Sequence, residues 1–163
     1  MTTSIVTRVD LDPLAAEATL SDGASVVMVA EPPDGTGVGG RPKEALLAAL
    51  AGCTSMDVAI ILRKKRQAPT SYEVAVSGES ADEPPRVFTS ILVEHRVRGE
   101  VEPEALRRSI ELSATRYCPV SAMLSAVARV EHRYLLLDAA GATHEATVAV
   151  VGPDRERRVI RDA

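Results

Sequence analysis

The order of elements predicted along the chain points to an α+β fold. Short strands come first, one long apolar helix follows, then two strands, two helices and more strands. Strands segregated from helices argue for antiparallel sheets beside helices rather than a doubly wound parallel sheet. The long helix is the second observation, because an apolar run of this length needs cover on nearly all sides and predicts a buried position. The third is composition. A chain of 163 residues, 45% apolar and 26% charged, is ordinary for a soluble globular protein and long enough to build a core without staples.

The first strands are predicted over residues 5–9, 15–20 and 24–30. Ser21-Asp22-Gly23 is a turn signal that makes the last two a hairpin. Residues 31–42 hold seven Gly or Pro and form a long connection, read as a flexible lid or linker. A helix is predicted to start near Pro42, suited to a first helical turn, and to run to about Lys65. The basic run Arg63-Lys64-Lys65-Arg66 closes it against the negative end of the helix dipole. Next come two antiparallel strands, one with Tyr72, Val74 and Val76 on a face, the other with Val87, Ile91, Val93 and Val97, joined by residues 78–85. Residues 103–116 read as a helix with Leu106 and Ile110 inward. Residues 120–128 read as another, with Val120, Leu124 and Val127 on one side. Residues 130–137 and 147–151 are strands about the turn at Ala139-Ala140-Gly141, and residues 153–163 are a charged tail expected to fray.

Several function classes are disfavoured at once. Aromatic residues make up 2% (Tyr72, Phe88, Tyr117, Tyr134), too few for the stacking platforms of carbohydrate or single-strand nucleic-acid binding. A net charge of −4 gives no general attraction to nucleic acid or anionic membrane. Residues 45–62 reach borderline membrane-span length, but Gly52, Thr54, Ser55 and Asp57 sit mid-span, so a helix in a soluble protein is the expected form. Residues 1–10 lack a basic and apolar leader pattern, and two cysteines in such a chain read as reduced, cytoplasmic thiols. Gly35-Thr36-Gly37-Val38-Gly39-Gly40 matches G-x-G-x-x-G by letter. However, Glu31-Pro32-Pro33-Asp34 separates it from the strand and no acid ends a second strand, so no nucleotide cofactor is expected. No metal is expected either: His95, His132 and His144 lack ligand spacing and neither cysteine belongs to a C-x-x-C pair. His95 falls on the apolar face of its strand, which predicts a core or interface histidine.

The cysteines carry the chemistry. Cys118 precedes Pro119 and a helical pattern, placing it at a helix N-cap where backbone N–H groups lower a thiol pKa, with Arg116 two residues before it. Cys53 lies mid-helix on the line Leu46, Leu50, Cys53, Asp57, Ile60. There Asp57 disfavours a thiolate unless it is itself paired, and spacing alone reads Cys53 as a buried thiol.

The run Pro42-Lys43-Glu44-Ala45-Leu46-Leu47-Ala48-Ala49-Leu50-Ala51-Gly52-Cys53-Thr54-Ser55-Met56-Asp57-Val58 resembles the first-cysteine helix of the OsmC/Ohr family. Arg116-Tyr117-Cys118-Pro119-Val120-Ser121-Ala122 resembles its second motif. The resemblance covers about residues 5–136, leaving 137–163 as a C-terminal extension, and Gly-Cys-Thr-x-Met-Asp resembles the broader OsmC-like group. It implies an OsmC-like fold, an intertwined homodimer with central long helices, and thiol-dependent reduction of organic hydroperoxides. In that scheme Cys53 is the peroxidatic thiol and Cys118 resolves its sulfenic acid as a disulfide, re-reduced by a dithiol that is lipoyl-type in the best-known members. The family's hydroperoxide reductases place Glu directly after the Pro of the helix start and pair it with an Arg from the N-terminal strands. Here Lys43 follows Pro42, Glu44 comes one later, and Arg8 and Arg41 are the arginines before the helix, so these three are the candidates for the activating pair. On a straight helix Glu44 is about 13 Å along the axis from Cys53, reaching a thiol only through loop curvature or from a partner subunit. The alternatives on the same fold are a redox sensor without turnover, an apolar-ligand module, or two inert core thiols.

Overall fold

The computed structural model describes residues 4–11, 14–30, 39–153 and 157–160. The chain divides into two compact units, Met1–Ala48 and Ala49–Ala163. In the first, β1 (Val6–Leu11), β2 (Leu14–Thr19) and β3 (Ser25–Val29) form an antiparallel sheet in that order. The hairpin between β2 and β3 turns where Asp22 Oδ1 accepts the Ala24 N–H at 3.0 Å and Gly23 takes φ +87°. The glycine-rich connection lies mostly outside the described residues. Its end at Gly40 accepts the Val29 N–H at 3.1 Å, which delivers the chain to the helix start.

Helix α1 (Pro42–Lys64) opens as the sequence predicts, with Pro42 at the first helical position. Glu44 Oε2 accepts the Arg41 backbone N–H at 2.9 Å, the acidic half of a capping box. Its buried residues Leu50, Thr54, Val58 and Leu62 recur every four positions, one line down the helix. Met56 and Ile60 stand exposed on the single chain, which differs from the predicted burial on nearly all sides. By length and composition α1 would suffice to cross a membrane, but Val58 and Leu62 belong to the hydrophobic core of the second unit, and Thr54 is hydrogen-bonded within it.

The second unit is built on a five-stranded sheet in the order β4-β5-β6-β7-β8. Strands β4 (Ala68–Ser80) and β5 (Phe88–Glu100) pair antiparallel, as expected. Phe88, not Val87, is the buried residue at the start of β5, because the register shifts between Glu79 and Ser80 and leaves Val87 exposed in the connection. β5 and β6 (Arg129–Asp138) run parallel, a departure from the antiparallel pattern that follows from the helical crossover between them. β7 (Thr143–Val151) is longer than predicted. The tail does not simply fray, since β8 (Arg157–Val159) pairs antiparallel with it in the register Ala149↔Val159; residues 154–156 and 161–163 lie outside the described residues.

The crossover consists of α2 (Pro103–Leu112), a π-helical turn (Ser113–Tyr117) and α3 (Pro119–Leu124). Leu106 and Ile110 of α2 are fully buried and join Val58, Leu62, Val97, Leu136 and Val148 in one core. Helix α3 is shorter than the period predicts. It buries Ser121 and leaves Val127 exposed, because the chain leaves helical geometry after Leu124 and turns Ala128 inward instead.

Where β5 ends, Gly99 has φ +116°, and a Cβ there would stand 2.6 Å from the Thr70 backbone nitrogen and 3.0 Å from the Ala68 carbonyl oxygen. Both neighbours are main chain at a β-bulge and cannot rotate away. Gly99→Ala is therefore expected to destabilise the fold by about 2 kcal/mol or more, read as a lower urea midpoint at unchanged slope.

Candidate active site

Cys53 and Asp57 are one helical turn apart on α1, half-buried on the flank of the Leu50–Leu62 line. Next to Asp57 on the buried line is Thr54. Its hydroxyl lies 3.0 Å from Ser113 Oγ, which in turn donates to Asp57 Oδ2 at 3.0 Å. Since the carboxylate can only accept, the run of donors is fixed: Thr54 to Ser113, Ser113 to Asp57. Thr54 and Ser113 are both 0% exposed, so the carboxylate is anchored from inside the core. The pairing that the sequence left open for Asp57 is thus with a hydroxyl.

Ser113 begins the π-helical turn, and the wide turn hands the chain on to Cys118, whose N–H donates to Ser113 O at 3.0 Å. Pro119 disfavours helical geometry at the residue before it, and Cys118 is extended (φ −72°, ψ 106°). Cys118 is thereby the N-cap of α3, as predicted, with its Sγ accepting the Ser121 N–H at 3.3 Å. The predicted lowering of its pKa is not found. Burial and the neighbouring Cys53 outweigh the N–H groups of Ser121 and Val120, and the thiol is pushed up to about 12. At 3% exposure the cost of desolvating a thiolate exceeds what one short helix N-terminus returns. Arg116 is turned over the Tyr117 ring, 5.6 Å from its centroid.

Two helices 65 positions apart in sequence therefore bring both thiols together. Cys53 Sγ, Cys118 Sγ and a carboxylate oxygen of Asp57 all lie within 4.8 Å of one another, and both cysteines are free. C-x-x-C spacing could not reveal this, since the donors come from separate elements. The other three candidates lie in the N-terminal unit. Arg8 Nη2 stands 3.4 Å from Asp10 and 3.3 Å from Glu17, and Glu44 is the cap that holds the Arg41 N–H.

A second polar line leads to α3 from the sheet. Tyr72 Oη is 2.7 Å from His95 Nδ1. The His95 and His132 rings stack at 5.8 Å between centroids, and His132 Nε2 is 3.4 Å from Ser121 Oγ. Burial and Asp57 raise the Tyr72 phenol, so it stays protonated. Both histidines are 0% exposed, and desolvation lowers His132 to about 4 and His95 well below its ordinary value. His95 Nε2 and His132 Nδ1 have no hydrogen-bond partner among the described residues. His95 was legible as a core histidine from its strand face, whereas His132 and the pairing of the two rings depend on the β5–β6 register, His95 lying opposite Tyr134 and Val93 opposite His132.

The OsmC-like protein family profile matches residues 34–133, which contain both cysteines, Asp57, the π-helical turn and both histidines. The chain belongs to the OsmC-like family. Among relatives of this OsmC-like protein, protein YhfA of Escherichia coli strain K12 is 38% identical over 94 residues, 57% of this chain and 70% of that protein. A hypothetical protein from Aquifex aeolicus VF5 superposes with a TM-score of 0.75 at 22% identity, over 85% of this chain and 98% of that one. The organic hydroperoxide resistance protein OhrB of Bacillus subtilis superposes with a TM-score of 0.58 at 17% identity, over 82% and 98% of the two chains. At those identities the two structures share the fold with this OsmC-like protein, an α+β arrangement of two sheets with helices.

Proposed function

We propose that this protein is a thiol peroxidase that reduces organic hydroperoxides through Cys53 and Cys118. The observation that carries the reading is the meeting of the two thiols, Cys53 from the middle of α1 and Cys118 from the N-cap of α3, with Asp57 beside them. The Cys53 sulfur attacks the distal oxygen of the peroxide and the O–O bond breaks, giving a Cys53 sulfenic acid and an alcohol. The proton lost by the thiol ends on the leaving alkoxide, and Asp57 is the group placed to carry it. The Cys118 thiol then attacks the Cys53 sulfur. An S–S bond forms, the S–O bond breaks, and hydroxide leaves as water with the Cys118 proton.

A small dithiol, lipoyl-type by family analogy, returns the disulfide to two thiols. The high pKa of Cys118 suits the resolving role, in which its proton leaves with the hydroxide, better than the attacking one. The exposed apolar residues Met56 and Ile60 of α1 and Met123 of α3 support a homodimer, and two free thiols support a cytoplasmic setting.

The test is stoichiometric. Reduced protein is given one equivalent of cumene hydroperoxide while free thiols and intact mass are followed. Loss of both thiols with a mass lower by two hydrogens is the expected result; thiols that persist under excess peroxide overturn the reading.

A further inference from the structure

The same three donor atoms have a second chemistry that requires no peroxide. Two sulfurs and one carboxylate oxygen within 4.8 Å of one another are the ligand types that thiophilic divalent cations select. A tetrahedral zinc ion holds two thiolate sulfurs about 3.8 Å apart, so closing these donors on one ion takes side-chain movement of little more than about 1 Å. Cys53 and Asp57 approach from one face of α1, and Cys118 from the N-terminus of α3.

The donors are also held from behind. Ser113 donates to Asp57, and the backbone N–H of Ser121 donates to the Cys118 sulfur. Thr54, Ser113 and Ser121 are each 0% exposed, an outer layer of the kind that orients metal-binding carboxylates and thiolates.

We propose that the reduced pair Cys53 and Cys118, with Asp57, forms a three-ligand zinc site whose fourth position is left for water. Binding forms two Zn–S bonds and one Zn–O bond and releases one proton from each thiol to the solvent. Nothing is oxidised or reduced. Zinc binding stands apart from hydroperoxide turnover. Its consequence, that zinc shields the thiols from hydroperoxide, rests on the function proposed above.

Metal-free, reduced full-length protein is titrated with zinc by calorimetry in two buffers of different ionisation enthalpy. One zinc per chain is expected, with close to two protons released. Cys53→Ser and Cys118→Ser should each weaken binding about 100-fold or more, and Asp57→Asn about 10-fold or more. Cobalt in place of zinc should give thiolate-to-cobalt charge-transfer bands with the intensity of two thiolates and a tetrahedral visible spectrum. That readout holds even if the Asp57 variant fails to fold.

No saturable zinc binding at micromolar protein, fewer than two thiolates on cobalt, or a folded Asp57→Asn chain that binds zinc as tightly as its parent overturns the site. Zinc bound by a chain that leaves hydroperoxide untouched keeps this site and removes the peroxidase. Turnover without zinc binding does the reverse.

Discussion

Cys53→Ser should lower hydroperoxide consumption with a dithiol by about a thousandfold or more, because it removes the atom that attacks the O–O bond. Cys118→Ser should behave differently. Its Cys53 still reacts once, so with no dithiol present peroxide falls by one equivalent per chain in a burst and then stops. The sulfenic acid left behind is trapped by dimedone as a single adduct on Cys53. The asymmetry follows from position. Cys53 is half-buried on the open flank of α1, while Cys118 is 3% exposed with its thiol pushed up to about 12. A reversed pattern, with the burst in Cys53→Ser and its loss in Cys118→Ser, would exchange the two roles. Equal residual turnover in both variants would exclude the two-cysteine cycle. Asp57→Asn adds a separate readout: it leaves both sulfurs in place, so it should slow the burst without changing its amplitude.

How much of this was legible depends on the range of the interaction involved. Pro42 and Glu44 start α1 through contacts within one turn, and Pro119 forces the extended geometry of Cys118 directly, so both were readable from neighbouring residues. The line Leu50, Thr54, Val58, Leu62 is likewise a matter of period. What period cannot show is which polar groups two distant elements bring face to face. Ser113 reads as one more helical residue until the π-helical turn sets it beside Thr54 and Asp57, 59 and 56 positions away. His132 gains its meaning only from the β5–β6 pairing, and a parallel pair across a helical crossover was not in the predicted scheme. The raised pKa of the Cys118 thiol has the same long-range origin. Its local helix N-terminus was visible in sequence, but its burial and the approach of Cys53 were not. The two Val127 and Val87 assignments failed by extending a period one step past the end of an element.

The buried histidines give this fold a steep acid limit. His132 is lowered to about 4 and His95 well below its ordinary value, in each case chiefly by burial, so both are neutral in the folded chain near neutral pH. In the unfolded chain each titrates near 6.5. Above that value neither state binds the protons and the histidines leave stability independent of pH. Below it the unfolded state takes up protons that the native state refuses, so stability falls as pH drops from about 6.5 toward about 4. For His132 alone that span is worth about 3 kcal/mol, and His95 adds to it in the same direction. Glu94 and Asp138 have lowered pKa values, held by Arg96 and Arg133 for the first and by His144 for the second. Their contribution is likewise lost on acidification, but it begins only near the ordinary carboxylate range, around pH 4–5. The window from about 6.5 to 5 therefore belongs to the histidines. Urea unfolding across that window should lose stability with a limiting slope approaching two protons. Proton–carbon correlation spectra of the imidazoles should show His95 and His132 still neutral in folded protein at pH 5. Either ring titrating near 6.5 in the folded chain would mean that water reaches the stacked pair, and the slope would shrink to that of one histidine.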